Sequence, residues 1–230
     1  MSEHSPTIPD GGPTMKITVF GATGGVGREV VRQALDAGHE VTAVVRDPAR
    51  LDVPAHDRLR VAVVADLTDE EALLPVLAGR QAVVSALGPA NNKQARLTPI
   101  AGPALRAIVS AMDRAGVSRL SAVSAAPLAP ELPEDGVLTK VVVYPLLRRL
   151  LRDLYADLAV MEAAIGASRT EWTVVRPPRL LNRPRTGAYR RALDANVPGG
   201  KVIARGDVAD ALLSALSDPA VAGHALGVAA

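Results

Sequence analysis

The sequence predicts an α/β fold: a doubly wound, mainly parallel sheet with a small additional region at its C-terminal end. Three observations predict it. Short apolar runs alternate with helical patterns from Lys16 to the C-terminal end, the order of successive β-α-β units. The runs are apolar on consecutive residues, as in Ile17-Thr18-Val19-Phe20, so helices are expected on both faces of the sheet. The first run also passes straight into a glycine-rich turn, Gly21-Ala22-Thr23-Gly24-Gly25-Val26-Gly27. Val26, Val30, Val31, Ala34 and Leu35 follow at helical spacing.

Each element has its own signal. Lys16–Phe20 is the first strand, and Gly25–Ala37 is the first helix, closed by Gly38. Glu40–Val45 is a second strand, followed by the turn Arg46-Asp47-Pro48. Arg60–Val64 is the third, and Thr68–Leu77 a helix with Thr68 as N-cap and Glu71 three residues on. Ala82–Ala86 is the fourth strand. A helix over Pro99–Ala115 ends at Gly116, the residue type that most easily takes the left-handed C′ position. Arg119–Val123 is the fifth strand, Val137–Ala167 a long helical stretch with a break near Pro145, and Trp172–Arg176 the sixth strand. A short element near Tyr189–Asn196, a strand at Lys201–Ala204, a helix at Asp207–Leu216 and an apolar end complete the chain.

Composition narrows the function. The 230 residues fit one domain over residues 15–230, preceded by a Pro-, Gly- and Ser-containing tail over residues 1–14 that reads as disordered. Hydrophobic residues make up 48% of the chain, enough for a sizeable core, but aromatics only 2%, which argues against base-stacking platforms. A net charge of +2 with scattered basic residues argues against a nucleic-acid role. With no cysteine and four widely spaced histidines, no metal site is expected. No apolar run reaches membrane-spanning length, and a cytoplasmic monomer or homodimer working on a small molecule is the expectation.

The chemistry is expected where strands end. A strand leading through three glycines into a helix brings backbone N–H groups and a helix N-terminus to where a diphosphate can sit. This is the dinucleotide turn of the Rossmann fold, whose crevice lies at the C-terminal ends of the strands. About twenty residues further on, a carboxylate selects the ribose hydroxyl of NAD, whereas an arginine accommodates the 2′-phosphate of NADP. Arg46 fills that position, with Arg50 one turn beyond, so NADP(H) is the expected cofactor. Asp47 leaves a second reading open, a carboxylate facing the ribose, against a turn or N-cap role before Pro48. Asp66-Leu67 follows the third strand and Ala86-Leu87-Gly88 the fourth, where small residues let backbone approach the cofactor. Ser124 follows the fifth strand, and Pro177-Pro178 after the sixth makes a rigid turn suited to walling the nicotinamide.

The ordered set GATGGVG, VVRDPARL, ADL, SALGP, SAVSA, WTVVRPPRL and ARGDVADALL resembles the atypical short-chain dehydrogenase/reductases. Within them it is nearest to the NAD(P)H-binding group of NmrA-like proteins and the flavin reductase/biliverdin-IXβ reductase. The resemblance covers residues 15–216. It implies that Gly21, Thr23, Gly24, Gly25, Val26 and Gly27 hold the diphosphate, and that Arg46 and Arg50 hold the 2′-phosphate. It further implies that Asp66 and Leu67 flank the adenine, that Ala86, Leu87 and Gly88 line the dinucleotide, and that Ser124 sits beside the nicotinamide.

One departure matters. Many short-chain enzymes pair a tyrosine with a lysine four residues on, which tunes the phenol for proton transfer. Here Tyr155 is followed by Ala159 and Tyr144 by Arg148. Tyr155 and Ser124 are the catalytic candidates, Ser124 by donating a hydrogen bond to an oxyanion developing on the acceptor. The expected function is hydride transfer from NADPH to a conjugated, quinone- or flavin-like small molecule. Two alternatives are a non-catalytic NADP(H)-sensing regulator of the NmrA type, and an epimerase, dehydratase or cyclase on the same fold.

Overall fold

The computed structural model describes residues 14–88, 97, 100–129 and 149–230. Nearly all of the expected tail, residues 89–96, 98–99 and 130–136, and the first part of the stretch expected over Val137–Ala167, with Tyr144, Pro145 and Arg148, lie outside the described residues.

Eight strands form one sheet: β1 (Lys16–Phe20), β2 (Glu40–Val45), β3 (Leu59–Val63), β4 (Ala82–Ser85), β5 (Arg119–Val123), β6 (Glu171–Arg176), β8 (Arg190–Leu193) and β10 (His224–Ala229). Their order is β3-β2-β1-β4-β5-β6-β10-β8. All neighbours run parallel except β8, which pairs antiparallel with β10, Leu193 opposite Leu226. β7 (Arg179–Leu181) and β9 (Val202–Ala204) form a separate two-stranded parallel ribbon. This is the doubly wound Rossmann arrangement, with its reversal of strand order between β1 and β4.

Helices cover both faces, which is why consecutive strand residues are apolar. On one face α1 (Gly25–Asp36) and α5 (Arg205–Ser217) pack Val30, Val31, Leu35 and Leu212 against Ile17, Val19, Val41 and Val84. On the other, α2 (Glu70–Leu77), α3 (Ala101–Ala115) and α4 (Arg152–Gly166) pack Leu73, Ile108, Met112 and Met161 against Phe20, Val44, Val83 and Leu120. Thr18, buried in β1, donates its hydroxyl to the Val76 carbonyl at 2.6 Å, so the one polar residue of that run is satisfied.

Four expectations change in detail. The N-cap of α2 is Asp69, which accepts from the N–H groups of Glu71 and Ala72. Thr68 cannot fill that place because its hydroxyl and N–H both donate to Asp66. The apolar C-terminal end is strand β10, inserted between β6 and β8. The element near Tyr189–Asn196 is strand β8, and Arg179–Leu181, to which the sequence assigned no element, is strand β7. Gly116 closes α3 in the left-handed conformation, φ 71°, as expected.

Buried charges fix the C-terminal region. The Arg119 guanidinium donates to the carbonyls of Ala215, Leu216 and Asp218, capping the C-terminal end of α5 against the sheet. At the other end of α5, Asp207 accepts from the N–H groups of Thr186 and Gly187 at 2.7 and 2.9 Å. Asp210 accepts from Arg185 Nε at 2.6 Å and from the Tyr189 hydroxyl at 2.8 Å. Segment 185–189 is thereby held on the first turns of the helix.

Candidate functional site

At the reversal point a cleft of about 810 Å³ opens over the C-terminal ends of the strands. Its floor is the turn after β1, and each glycine there has its own reason. Gly21 has φ 76°, and a Cβ would lie 2.5 Å from the Ala86 carbonyl oxygen, so this position needs glycine twice over. At Gly27 a Cβ would meet the Gly21 carbonyl oxygen at 2.1 Å, which lets the turn press against the first turn of α1. At Gly25 a Cβ would meet Cδ and Nε of Arg205 at 2.7 Å. At Gly24 a Cβ would approach only the Gly21 carbonyl oxygen, at 3.2 Å, so its substituent side is otherwise clear.

Among the described residues no side chain caps the N-terminus of α1, and its first turn carries no acidic residue. Its leading N–H groups and the helix dipole therefore face the cleft, an arrangement suited to an anion. Gly21, Thr23, Gly24, Gly25 and Val26 line this end. Gly27 does not; it lies behind the turn, where its role is packing.

At the end of β2, Arg46 and Arg50 line the cleft. The Asp47 carboxylate accepts from the N–H of Ala49 at 3.0 Å and caps the short 3-10 turn Pro48–Arg50, which answers the alternative left open by the sequence. Neither arginine forms an ion pair among the described residues. Asp66 and Leu67 line the cleft after β3. The Asp66 carboxyl is held below the usual carboxylate range by hydrogen bonds from the N–H and hydroxyl of Thr68. Ala86, Leu87 and Gly88 line it after β4. Among the described residues the charged side chains of the lining are Arg46, Arg50 and Arg205 against Asp66, a balance that favours a polyanion.

At the opposite end stand Ser124, after β5, and Pro177 and Pro178, after β6, with Leu154 and Leu158 of α4. Ser124 is nearly buried, and its hydroxyl lies 2.5 Å from Glu162 Oε1. Glu162 also takes Nε of Arg176 on Oε1 at 3.1 Å and Nη2 on Oε2 at 2.6 Å. Tyr155 stands apart from this group and is absent from the cleft lining; it packs against the core formed by α3 and α4. Burial raises its phenol pKa, the opposite of the shift a tyrosine acid–base catalyst requires.

Sequence reasoning missed three residues here. Arg176 stood within a quoted motif without a role, and Glu162 was one carboxylate on an amphipathic helix. Arg205 reaches the glycine turn from the start of α5, where its Nη1 donates to Asn182 Oδ1. Among the described residues no helix is long and apolar enough to cross a membrane.

A family model described as NAD(P)H-binding matches residues 21–219. The chain is 28% identical over 214 residues to YwnB of Bacillus subtilis (strain 168), covering 89% of this chain and 93% of that protein. Its fold is similar to that of a wide-type short-chain dehydrogenase/reductase from Veillonella parvula DSM 2008 in complex with NADP, with a TM-score of 0.75 at 19% identity over 94% of both chains. It is similar as well to ChuY, an anaerobillin reductase from Escherichia coli O157:H7, with a TM-score of 0.67 at 21% identity over 92% of this chain and 96% of that one.

Proposed function

This chain belongs to the NAD(P)H-binding family, and from that premise we propose that it is an NADPH-dependent reductase of a conjugated, quinone- or flavin-like small molecule. The observation that carries the cofactor assignment is the end of β2, where Arg46 and Arg50 face the cleft while Asp47 is occupied by its own turn. Two guanidinium groups there suit a 2′-phosphate through paired, charge-assisted hydrogen bonds. The uncapped N-terminus of α1 and the clear side of Gly24 suit the diphosphate.

Bound NADPH would supply a hydride from C4 of its nicotinamide. The protein's own contribution is orientation and exclusion of water. Pro177 and Pro178 form a stiff wall, braced by the N–H of Ala126 donating to the Pro177 carbonyl at 2.9 Å. Leu154 and Leu158 add an apolar surface over which a flat acceptor can lie. Tyr155 lies off the lining and the Ser124 hydroxyl is turned to Glu162, so among the described residues neither candidate supplies the proton that completes the reduction, and solvent is its proposed source. Activity would be that of a monomer or homodimer in the cytoplasm.

A second reading draws on the same geometry. Tyr155 is away from the cleft and the Ser124 hydroxyl is turned to Glu162, an arrangement that also suits a protein that binds NADP(H) and senses it. Steady-state NADPH oxidation against a panel of quinones and flavins separates the two. Turnover with any member supports the reductase. Tight NADPH binding with no turnover across the panel supports the sensor.

A further inference from the structure

We infer that Ser124 meets its ligand as a hydrogen-bond acceptor, and that Glu162 and Arg176 impose this polarity. The inference rests on the cleft holding NADP(H). A serine has two donors, its N–H and its hydroxyl, and both are committed. The N–H donates to the Val175 carbonyl at 2.8 Å. The hydroxyl stands 2.5 Å from Glu162 Oε1.

Which partner owns the proton of that short contact follows from Arg176. Its guanidinium places Nε on Oε1 and Nη2 on Oε2, at 3.1 and 2.6 Å, so both oxygens of Glu162 serve as acceptors. Glutamate is a carboxylate at neutral pH, and the Arg176 fork, with the two side chains only 15% and 16% exposed, donates to both of its oxygens. A carboxylate only accepts, and the serine therefore donates. What Ser124 presents to the cleft it lines is oxygen lone pairs.

This reverses the role expected from the sequence. A lone pair aimed at a developing oxyanion repels it, whereas the same lone pair orients an N–H or O–H. Ser124 thus selects a hydrogen-bond donor on whatever occupies the nicotinamide end. Two sources carry such a donor: the amide NH₂ of the nicotinamide carboxamide, and an N–H or O–H of the second ligand.

Binding measurements on the full chain test this without turnover. In the first arm, NADP⁺ is titrated against its 3-acetylpyridine analogue, in which a methyl group replaces the amide NH₂. In the second, the NADP⁺-saturated protein is titrated with a hydroquinone and with its O-methyl ether. In at least one arm the unmodified protein favours the donor-bearing ligand, by about three- to tenfold for one hydrogen bond. Ser124→Ala removes that preference. Glu162→Gln, whose amide can donate to Ser124 and release the hydroxyl toward the cleft, shrinks or inverts it. A preference ratio, unlike an absolute affinity, does not move with a general loss of stability. NADP⁺ binding with no donor preference in either arm, or a preference that survives in Ser124→Ala, overturns the inference alone. Absence of NADP⁺ binding overturns the cofactor assignment and the inference with it.

Discussion

Asp157 of α4 accepts a hydrogen bond from the N–H of Gly102 at 2.8 Å, so the N-terminus of α3 is capped by the side chain of a different helix. Its other oxygen accepts from Ile100 and Ala101, each at 3.0 Å. The cap works because the helices touch: a Cβ on Gly102 would lie 2.6 Å from Cγ1 of Val160. Ile100 and Pro103 beside one partner of this bond and Leu154 and Leu158 beside the other all line the cleft, so the bond ties together two parts of its wall.

Asp157→Ala leaves three N–H groups, two of them buried, without their partner. It is expected to destabilise the fold by about 2–3 kcal/mol. Urea unfolding at neutral pH measures it. A loss within error of zero would mean that α3 is held by packing alone.

The glycine turn separates binding from folding. Gly24 lines the cleft, and a Cβ placed there approaches only the Gly21 carbonyl inside the protein, so Gly24→Val adds its bulk where the diphosphate is proposed to sit. NADP⁺ affinity is expected to vanish from a chain that still unfolds cooperatively. Gly27→Ala drives a methyl group into the Gly21 carbonyl oxygen and should cost about 1–3 kcal/mol of stability. Calorimetric titration and thermal unfolding of both variants check the pair, and similar losses in both would contradict the division.

The doubly wound parallel sheet and the positions of its first six strands were legible for a simple reason. Strands β1 to β6 are short apolar runs, and their C-terminal neighbours in sequence are also the neighbours of the cleft. β10 was not, because Ala225, Gly227 and Ala229 have little strand preference of their own; the ladders with β6 and β8 supply it. Glu162 escaped notice because its meaning depends on α4 lying beside the ends of β5 and β6. The pairing of Asp207 and Asp210 with segment 185–189 joins two motifs that had been read separately. In each case the missing information is a contact between elements, and no local pattern encodes it.

His39 gives the fold an acid-side weakness. Its Nδ1 accepts from the N–H of Met15 at 3.2 Å, and burial holds its pKa below the ordinary 6.5. The unfolded chain therefore takes up this proton at a pH where the folded chain does not. The contribution is complete well above pH 6.5 and is lost as the pH falls through that value. Unfolding free energy should drop between about pH 7.5 and about pH 5, and His39→Gln should flatten part of that slope. An identical slope in the variant would remove His39 from the account of acid sensitivity.

Tyr155→Phe should lower kcat/KM for a quinone or flavin acceptor by less than about tenfold, because a general acid would be worth roughly 10²–10⁴-fold. Its burial against the α3–α4 core and its absence from the lining motivate the expectation. A thousandfold loss with unchanged stability would restore a tyrosine mechanism.

In the proposed function Arg46 and Arg50 select NADP(H) over NAD(H), and one calorimetric experiment tests that most directly. The full chain and Arg46→Ala are each titrated with NADP⁺ and with NAD⁺. The unmodified protein should bind NADP⁺ more tightly. Arg46→Ala should lose about 1.5–3 kcal/mol toward NADP⁺, roughly 10- to 100-fold, with little change toward NAD⁺. Equal affinity of the unmodified protein for the two cofactors, or an equal loss for both in Arg46→Ala, would contradict the assignment.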